Sequence, residues 1–240
     1  MKIFKLNVFN WVKQSNVKAL VIGFAALTTL SSCLKDSSNN AVPNYSALSV
    51  INASPGLQPF DFVIDNQIVN QGSFNFTERL PYVNIFSGIR KVGIYKDQTS
   101  DSIKTGTFTA QAGKFYSLYV VGQPTNLEFL TIQDSVKTPA TGNAQVRFLN
   151  LSVNSPSLKL NYGVDSTLVN SLTYKAVSNF VEIPGGKKYN FSIKSDDANG
   201  KTAESSNVLI ESGRVYTVWA SGLYNNTDSL KLGIKIQRNN

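Results

Sequence analysis

The strongest constraint on what this chain can fold into is that it carries one strand pattern twice. Ala112-Gly113-Lys114-Phe115-Tyr116-Ser117-Leu118-Tyr119-Val120-Val121-Gly122 returns as Ser212-Gly213-Arg214-Val215-Tyr216-Thr217-Val218-Trp219-Ala220-Ser221-Gly222. Glycine, base, tyrosine, hydroxyl, apolar residue, aromatic and glycine recur in register. Upstream, Phe60, Phe62 and Ile64 are matched by Leu158, Leu160 and Tyr162. Asn52 followed by Ser54-Pro55 is answered by Asn150 with Ser155-Pro156. The repeated unit is therefore about a hundred residues, an ordinary length for one domain.

Within each copy apolar and polar residues alternate, the period-2 pattern of a strand with one buried face. Tyr189, Phe191 and Ile193 oppose Lys188, Asn190, Ser192 and Lys194, and Leu230, Leu232, Ile234 and Ile236 oppose Lys231, Gly233, Lys235 and Gln237. Turn residues interrupt these runs at Gly72, Ser87-Gly88, Gly113, Gly122-Gln123-Pro124, Pro184-Gly185-Gly186, Asn199-Gly200 and Gly213, the spacing of a β-sandwich with about seven strands per copy. The pattern predicts an all-β chain of two tandem immunoglobulin-like β-sandwich domains, residues 45–139 and 142–240. Their boundary is expected near Thr138-Pro139-Ala140-Thr141-Gly142.

The N-terminus reads differently. Lysines supply its charge up to Lys18, and Ala19 to Leu30 is an apolar run shorter than the roughly 20 residues that span a bilayer but long enough for a signal peptide. Leu30-Ser31-Ser32-Cys33 follows at once. It resembles the bacterial lipobox, whose small residues let the peptidase approach the backbone and whose thiol becomes a thioether to diacylglycerol. Residues 1–32 are thus expected to be a lipoprotein signal peptide, Cys33 the lipidated residue, and 33–44 a polar, flexible tether. An uncleaved anchor with an incidental cysteine is the competing reading. The resemblance to envelope lipoproteins implies a Gram-negative cell, and the lack of Asp after Cys33 fits passage to the outer membrane, with the folded part periplasmic or surface-exposed. Cys33 is the one cysteine, so no internal disulfide can form.

The formal charge of +8 does not signal nucleic acid. Lys2, Lys5, Lys13 and Lys18 belong to the segment that would be cut, leaving 19 basic against 15 acidic side chains, scattered rather than clustered.

Asn52-Ala53-Ser54-Pro55-Gly56-Leu57-Gln58-Pro59-Phe60-Asp61-Phe62-Val63-Ile64-Asp65-Asn66 resembles the opening of the domain-of-unknown-function 4397 family: an Ala-Ser-Pro, an apolar-Asp-apolar strand, and a closing Asp-Gly or Asp-Asn turn. The Gly-x-x-Tyr strand fits it too. The second copy departs from the pattern, losing Ala-Ser-Pro and carrying Lys159 where the first has Asp61. The resemblance implies secreted or envelope β-sandwich proteins and transfers no catalytic or binding residue.

With no histidine, the commonest general base and zinc ligand are missing. No catalytic residue, metal site or cofactor is expected. Asp61 and Asp65, four apart on one strand face, have the residue types of a glycosidase pair, although solvent-facing alternation accounts for them equally well. Asp196-Asp197-Ala198-Asn199-Gly200 has the residue types of a calcium loop without its full spacing, and Asn-Gly suits a hairpin turn. Tyr116 and Tyr216 are candidates for the tyrosine corner of sandwich domains. Tyr119 and Trp219 can fill a core or stack on a sugar. Asp-Ser followed by Ile103, Val136, Thr167 or Leu230 marks Ser102, Ser135, Ser166 and Ser229 as candidate O-glycosylation acceptors, with turn capping by the aspartates as the alternative. The expected function is a non-catalytic binding or structural module at the outer membrane, its partners being the membrane through the lipid and a glycan or another envelope protein. A carboxylate-dependent carbohydrate-active enzyme is the alternative.

Overall fold

A computed structural model describes residues 44–134, 137–164 and 166–239. Every regular element among them is a strand. The first copy runs β1 (Tyr45–Asn52), β2 (Phe60–Ile64), β3 (Gln67–Ile68), β4 (Arg79–Phe86), β5 (Gly88–Lys96), β6 (Ser102–Ala110), β7 (Phe115–Gln123) and β8 (Asn126–Gln133). The second runs β9 (Asn143–Asn150), β10 (Leu158–Tyr162), β11 (Ser166–Leu172), β12 (Val181–Pro184), β13 (Lys187–Ser195), β14 (Thr202–Ile210), β15 (Val215–Ser221) and β16 (Gly233–Arg238). The count is eight per copy rather than about seven, because the edge strands β3 and β11 add one each.

Each copy is a four-on-four β-sandwich, and the two share a topology. Sheet β4-β1-β7-β8 faces sheet β3-β2-β5-β6, and β12-β9-β15-β16 faces β11-β10-β13-β14. All pairings are antiparallel except β1 with β7 and β9 with β15, which are parallel in equivalent registers: Asn52 lies beside Val120 as Asn150 lies beside Ala220. The fold is thus all-β, with two similar β-sandwiches.

The repeated residues do the same work in both copies. Asn52 Oδ1 accepts from the Ser54 amide at 3.1 Å, and Asn150 Oδ1 from the Ser152 amide at 3.2 Å. Their main-chain carbonyls receive the amides of Thr77 and Lys175, both in the left-handed region at φ 71° and 64°. Tyr116 and Tyr216 form the expected corners: each hydroxyl accepts a backbone amide five residues upstream, Gln111 and Glu211, at 3.0 Å. Gly122 and Gly222, at φ 92° and 84°, leave room for a facing carbonyl. A Cβ there would stand 2.1 Å from Asn126 O or 2.2 Å from Lys231 O. Gly122 accordingly lies within β7, one residue before its end, instead of standing in the turn. The final strand begins at Gly233, not Leu230, because the Asp228 carboxylate and carbonyl hold the amides of Leu230 and Lys231 in a turn.

Three cores explain which strands alternate and which do not. Leu48, Val50, Phe60, Phe62, Ile94, Leu118 and Val120 fill the first sandwich. Val146, Phe148, Leu158, Leu160, Phe191, Ile193 and Val218 fill the second. A third core joins Ile51, Ala53, Tyr119 and Val121 of the first copy to Leu149, Leu151 and Trp219 of the second. These residues stand on the opposite faces of β1, β7, β9 and β15 from the sandwich cores, so the two central sheets pack back to back. Strands covered on both faces lose the polar half of their alternation, and from its second residue β7 is buried through Gly122. Trp219 and Tyr119, 2% and 0% exposed with ring centroids 6.4 Å apart, are core residues of this junction, which removes them as a sugar-stacking platform.

Candidate functional site

A hollow of about 640 Å³ lies where the edges of the second sandwich meet a turn of the first. Thr202 and Glu204 from the start of β14 point outward because Ala203 between them packs on the second core. Lys235 does the same on β16, between the inward Ile234 and Ile236. Ser229 and Lys231 come from the turn held by Asp228, and Phe76 and Thr77 from the turn after β3. That turn is built locally: the Glu78 carboxylate accepts the Asn75 amide at 2.7 Å, and the Thr77 amide reaches Asn52 O at 2.8 Å. The lining is thus mixed, with hydroxyls and two exposed ammonium groups beside the apolar Phe76, Leu232 and Ile234. Glu204 is the one acid among the described residues that line it.

A smaller hollow of about 280 Å³ shares Thr202, Lys231 and Leu232 with the groove and extends it to Lys201 and Tyr224. Lys201 Nζ donates to Tyr224 O at 2.7 Å and lies 4.7 Å over its ring. The Tyr224 hydroxyl donates to the Asp197 carboxylate at 2.7 Å, and Ser195 Oγ does so as well at 2.7 Å. Asn199 and the Gly200 amide complete the set. These donors, Ser195 first, hold the Asp197 carboxyl down at about 2, while desolvation raises the Tyr224 phenol. The candidate calcium loop is therefore a hairpin turn whose carboxylate is already supplied with protein donors.

The other acids singled out by sequence are also structural. Asp61 is buried rather than solvent-facing, and accepts the Gln98 amide at 2.9 Å. Asp65 stands in the turn after β2 at φ 46°, off the strand alternation, and pairs with Arg90 at 3.0 Å. Asp101 pairs with Lys96 at 3.1 Å. Of the candidate acceptors, Ser102 and Ser166 are exposed at the starts of β6 and β11, and Ser229 is exposed on the groove rim. Ser135 lies outside the described residues, as do Leu30, Ser31, Ser32 and Cys33.

Asp134 has a role no motif announced. One oxygen accepts hydroxyls from Tyr82 and Ser117, both at 2.7 Å, and the other takes Arg147 of the second copy. Arg147 Nε donates to Thr217 at 2.9 Å, and its guanidinium covers the Phe180 ring at 4.9 Å. Burial, with the Asp134 charge second, raises the Tyr82 phenol, and burial pushes Tyr119 up to about 12. The signal was present as a lone base inside Val146-Arg147-Phe148-Leu149, since a charge in an apolar strand requires a partner.

Residues 46–161 match the model of the domain of unknown function DUF4397. The DUF4397 assignment thus holds for residues 46–161. The DUF4397 match takes in all of the first sandwich from Ser46 and continues through β9 into β10, so the strands completing the second sandwich lie beyond it. Among curated proteins none matches the sequence. Among solved structures, this chain is similar to a family 26 carbohydrate-binding module from Eubacterium rectale Amy13K in complex with maltoheptaose, at 8% identity and TM-score 0.26, covering 81% of this chain and 96% of that one. A streptococcal virulence factor that binds alpha-glucan follows at 9% identity and TM-score 0.25, covering 79% and 97%. A putative cell adhesion protein from Parabacteroides distasonis gives 8% identity and TM-score 0.24, covering 82% and 99%.

Proposed function

We propose that this chain is an exported lipoprotein, cut before Cys33 and held at the outer membrane by the lipid on that residue, whose paired sandwiches form a non-catalytic binding module for a hydroxyl-rich envelope glycan. The groove between β14, β16 and the Phe76-Thr77 turn carries the reading. It offers Thr77, Thr202 and Ser229 as hydrogen-bonding hydroxyls and Lys231 and Lys235 as cationic donors, a surface able to hold a polar chain. Glycoside hydrolysis ordinarily takes two carboxyl groups flanking the scissile bond, and this groove is lined by Glu204 alone among the described acids. Asp61 and Asp65 serve separate structural bonds.

Two experiments separate the parts of this reading. Metabolic palmitate labelling should be lost in Cys33→Ala with accumulation of the precursor; undiminished labelling ends the lipoprotein assignment. Titration of the purified protein with envelope polysaccharides should show binding that Lys231→Ala with Lys235→Ala weakens by about tenfold or more, the scale of hydrogen bonds to charged groups. Binding indifferent to both lysines removes the groove, and shortened glycan products would establish an enzyme instead.

A further inference from the structure

We infer that the end of the first sandwich at which the chain enters is a membrane-resting surface, with Tyr45, Phe86, Ile89 and Phe115 seated in the headgroup region. The inference rests on the lipid-anchor reading and adds an orientation to it. Tyr45 is 51% exposed, Phe86 70%, Ile89 68% and Phe115 49%, a high share for four large apolar side chains at one end of a small sandwich.

Their placement is tied together by bonds. Tyr45 opens β1 opposite Phe86, the last residue of β4. The β4–β5 turn between Phe86 and Ile89 is fastened to the entering chain, since Ser87 donates its amide to Asn44 O at 3.2 Å and its hydroxyl to Asn44 Oδ1 at 2.9 Å. The β6–β7 turn is fastened there as well, through the Gly113 amide to Tyr45 O at 2.9 Å. Phe115 follows that turn and meets Tyr82 edge to face at 5.5 Å.

Three observations favour a bilayer as the occupant. Tyr45 stands 12 residues after Cys33, and twelve residues of any chain reach about 40 Å at most, so a lipid on Cys33 keeps this end near the membrane. The tether residues Lys35-Asp36-Ser37-Ser38-Asn39-Asn40 are polar and poorly suited to cover the patch. Beside these turns stand the exposed Lys91 and Lys114, with no acid between residues 86 and 91 or 111 and 115 and with Arg90 already paired to Asp65, and their charge suits anionic headgroups beside inserted aromatic residues.

The repeat supplies an internal comparison. In the second copy, which bears no anchor of its own, the positions of Tyr45, Phe86 and Ile89 are held by Asn143, Pro184 and Lys187, with Asn143 opposite Pro184 as Tyr45 is opposite Phe86. The counterpart of Phe115 is Val215, which is fully buried. The same turn is apolar at its tip only in the copy next to the lipid.

The test uses the full lipidated protein in vesicles of phosphatidylethanolamine and phosphatidylglycerol. A fluorophore is placed on Gln111→Cys in the β6–β7 turn or, as control, on Val164→Cys, which is 95% exposed in the second copy. The probe at 111 should shift its emission to the blue, be quenched by lipids carrying a headgroup-level nitroxide and be shielded from aqueous iodide, whereas the probe at 164 shows none of these. In the same protein Phe86→Ser with Ile89→Ser should abolish the shift and quenching while the protein still floats with the vesicles. Equal iodide access at both positions in floating protein overturns the inference and leaves the anchor standing. Shielding that rises with protein density and ignores the nitroxide lipid overturns it too, because a second copy is then the occupant. Failure to float removes the anchor, and the inference with it.

Discussion

Arg147 of β9 and Asp134, just beyond β8, form an ion pair sealed between the two sandwiches, with side chains 3% and 0% exposed. Breaking a buried pair by removing one partner leaves an uncompensated charge and costs about 3–5 kcal/mol, whereas replacing both with apolar residues of similar size is often neutral or stabilising. Arg147→Met and Asp134→Leu should therefore each lower the urea midpoint sharply, and the double variant should recover most of the loss. Additive losses in the double-mutant cycle would mean that the two side chains do not depend on one another.

The glycines at the ends of β7 and β15 should divide cleanly from those in open turns. At Gly113 nothing lies within 4 Å of an added Cβ, so Gly113→Ala meets only the left-handed backbone, φ 71°, at about 1 kcal/mol. Gly122→Ala and Gly222→Ala add a collision with a carbonyl oxygen and should destabilise by well over ~1 kcal/mol. Thermal melts of the three variants give the comparison; equal shifts would refute the steric argument.

Asp197 makes the acid limb of stability testable. Its folded carboxyl is held at about 2 against an ordinary 3.8, chiefly by Ser195 and then Tyr224. Above 3.8 its contribution is fully present. Between 3.8 and 2 the unfolded chain binds the proton first, so stability falls with falling pH until the folded group also titrates. Asp197→Asn should flatten this part of the profile in urea titrations at pH 5, 3 and 2, and an unchanged slope would show that other carboxyls set it.

Each half contains a sandwich core of its own, yet each also owns one side of the third core. Residues 45–139 and 142–240 expressed separately should give cooperative, strand-rich units with melting temperatures below that of the joined chain. Mixing them should restore the lost stability, since Tyr119 and Trp219 then regain their contact and Asp134 its guanidinium. Halves that melt at the parent temperature would mean the junction contributes nothing.

Much of the architecture was legible because it is written locally. Alternation in Tyr189-Asn190-Phe191-Ser192-Ile193, the recurring Gly-base-x-Tyr and the paired asparagines at 52 and 150 are properties of short segments, and strand period, turn chemistry and corner bonds act over the same few residues. The repeat even foretold that the two tyrosine corners would match. The candidate groove was not legible: Thr77, Thr202, Lys231 and Lys235 are ordinary polar residues from three separate segments, and no spacing links them.

Local sequence was enough for an all-β chain in two similar copies, because side-chain period and turn residues decide whether a segment becomes a strand and where it ends. What the second faces of β1, β7, β9 and β15 meet is set by the assembled fold. Tyr119 and Trp219, a hundred residues apart, read equally well as a platform or as a core. An aromatic side chain gains by losing water wherever an apolar surface covers it, and which surface that is depends on how two complete sheets come together.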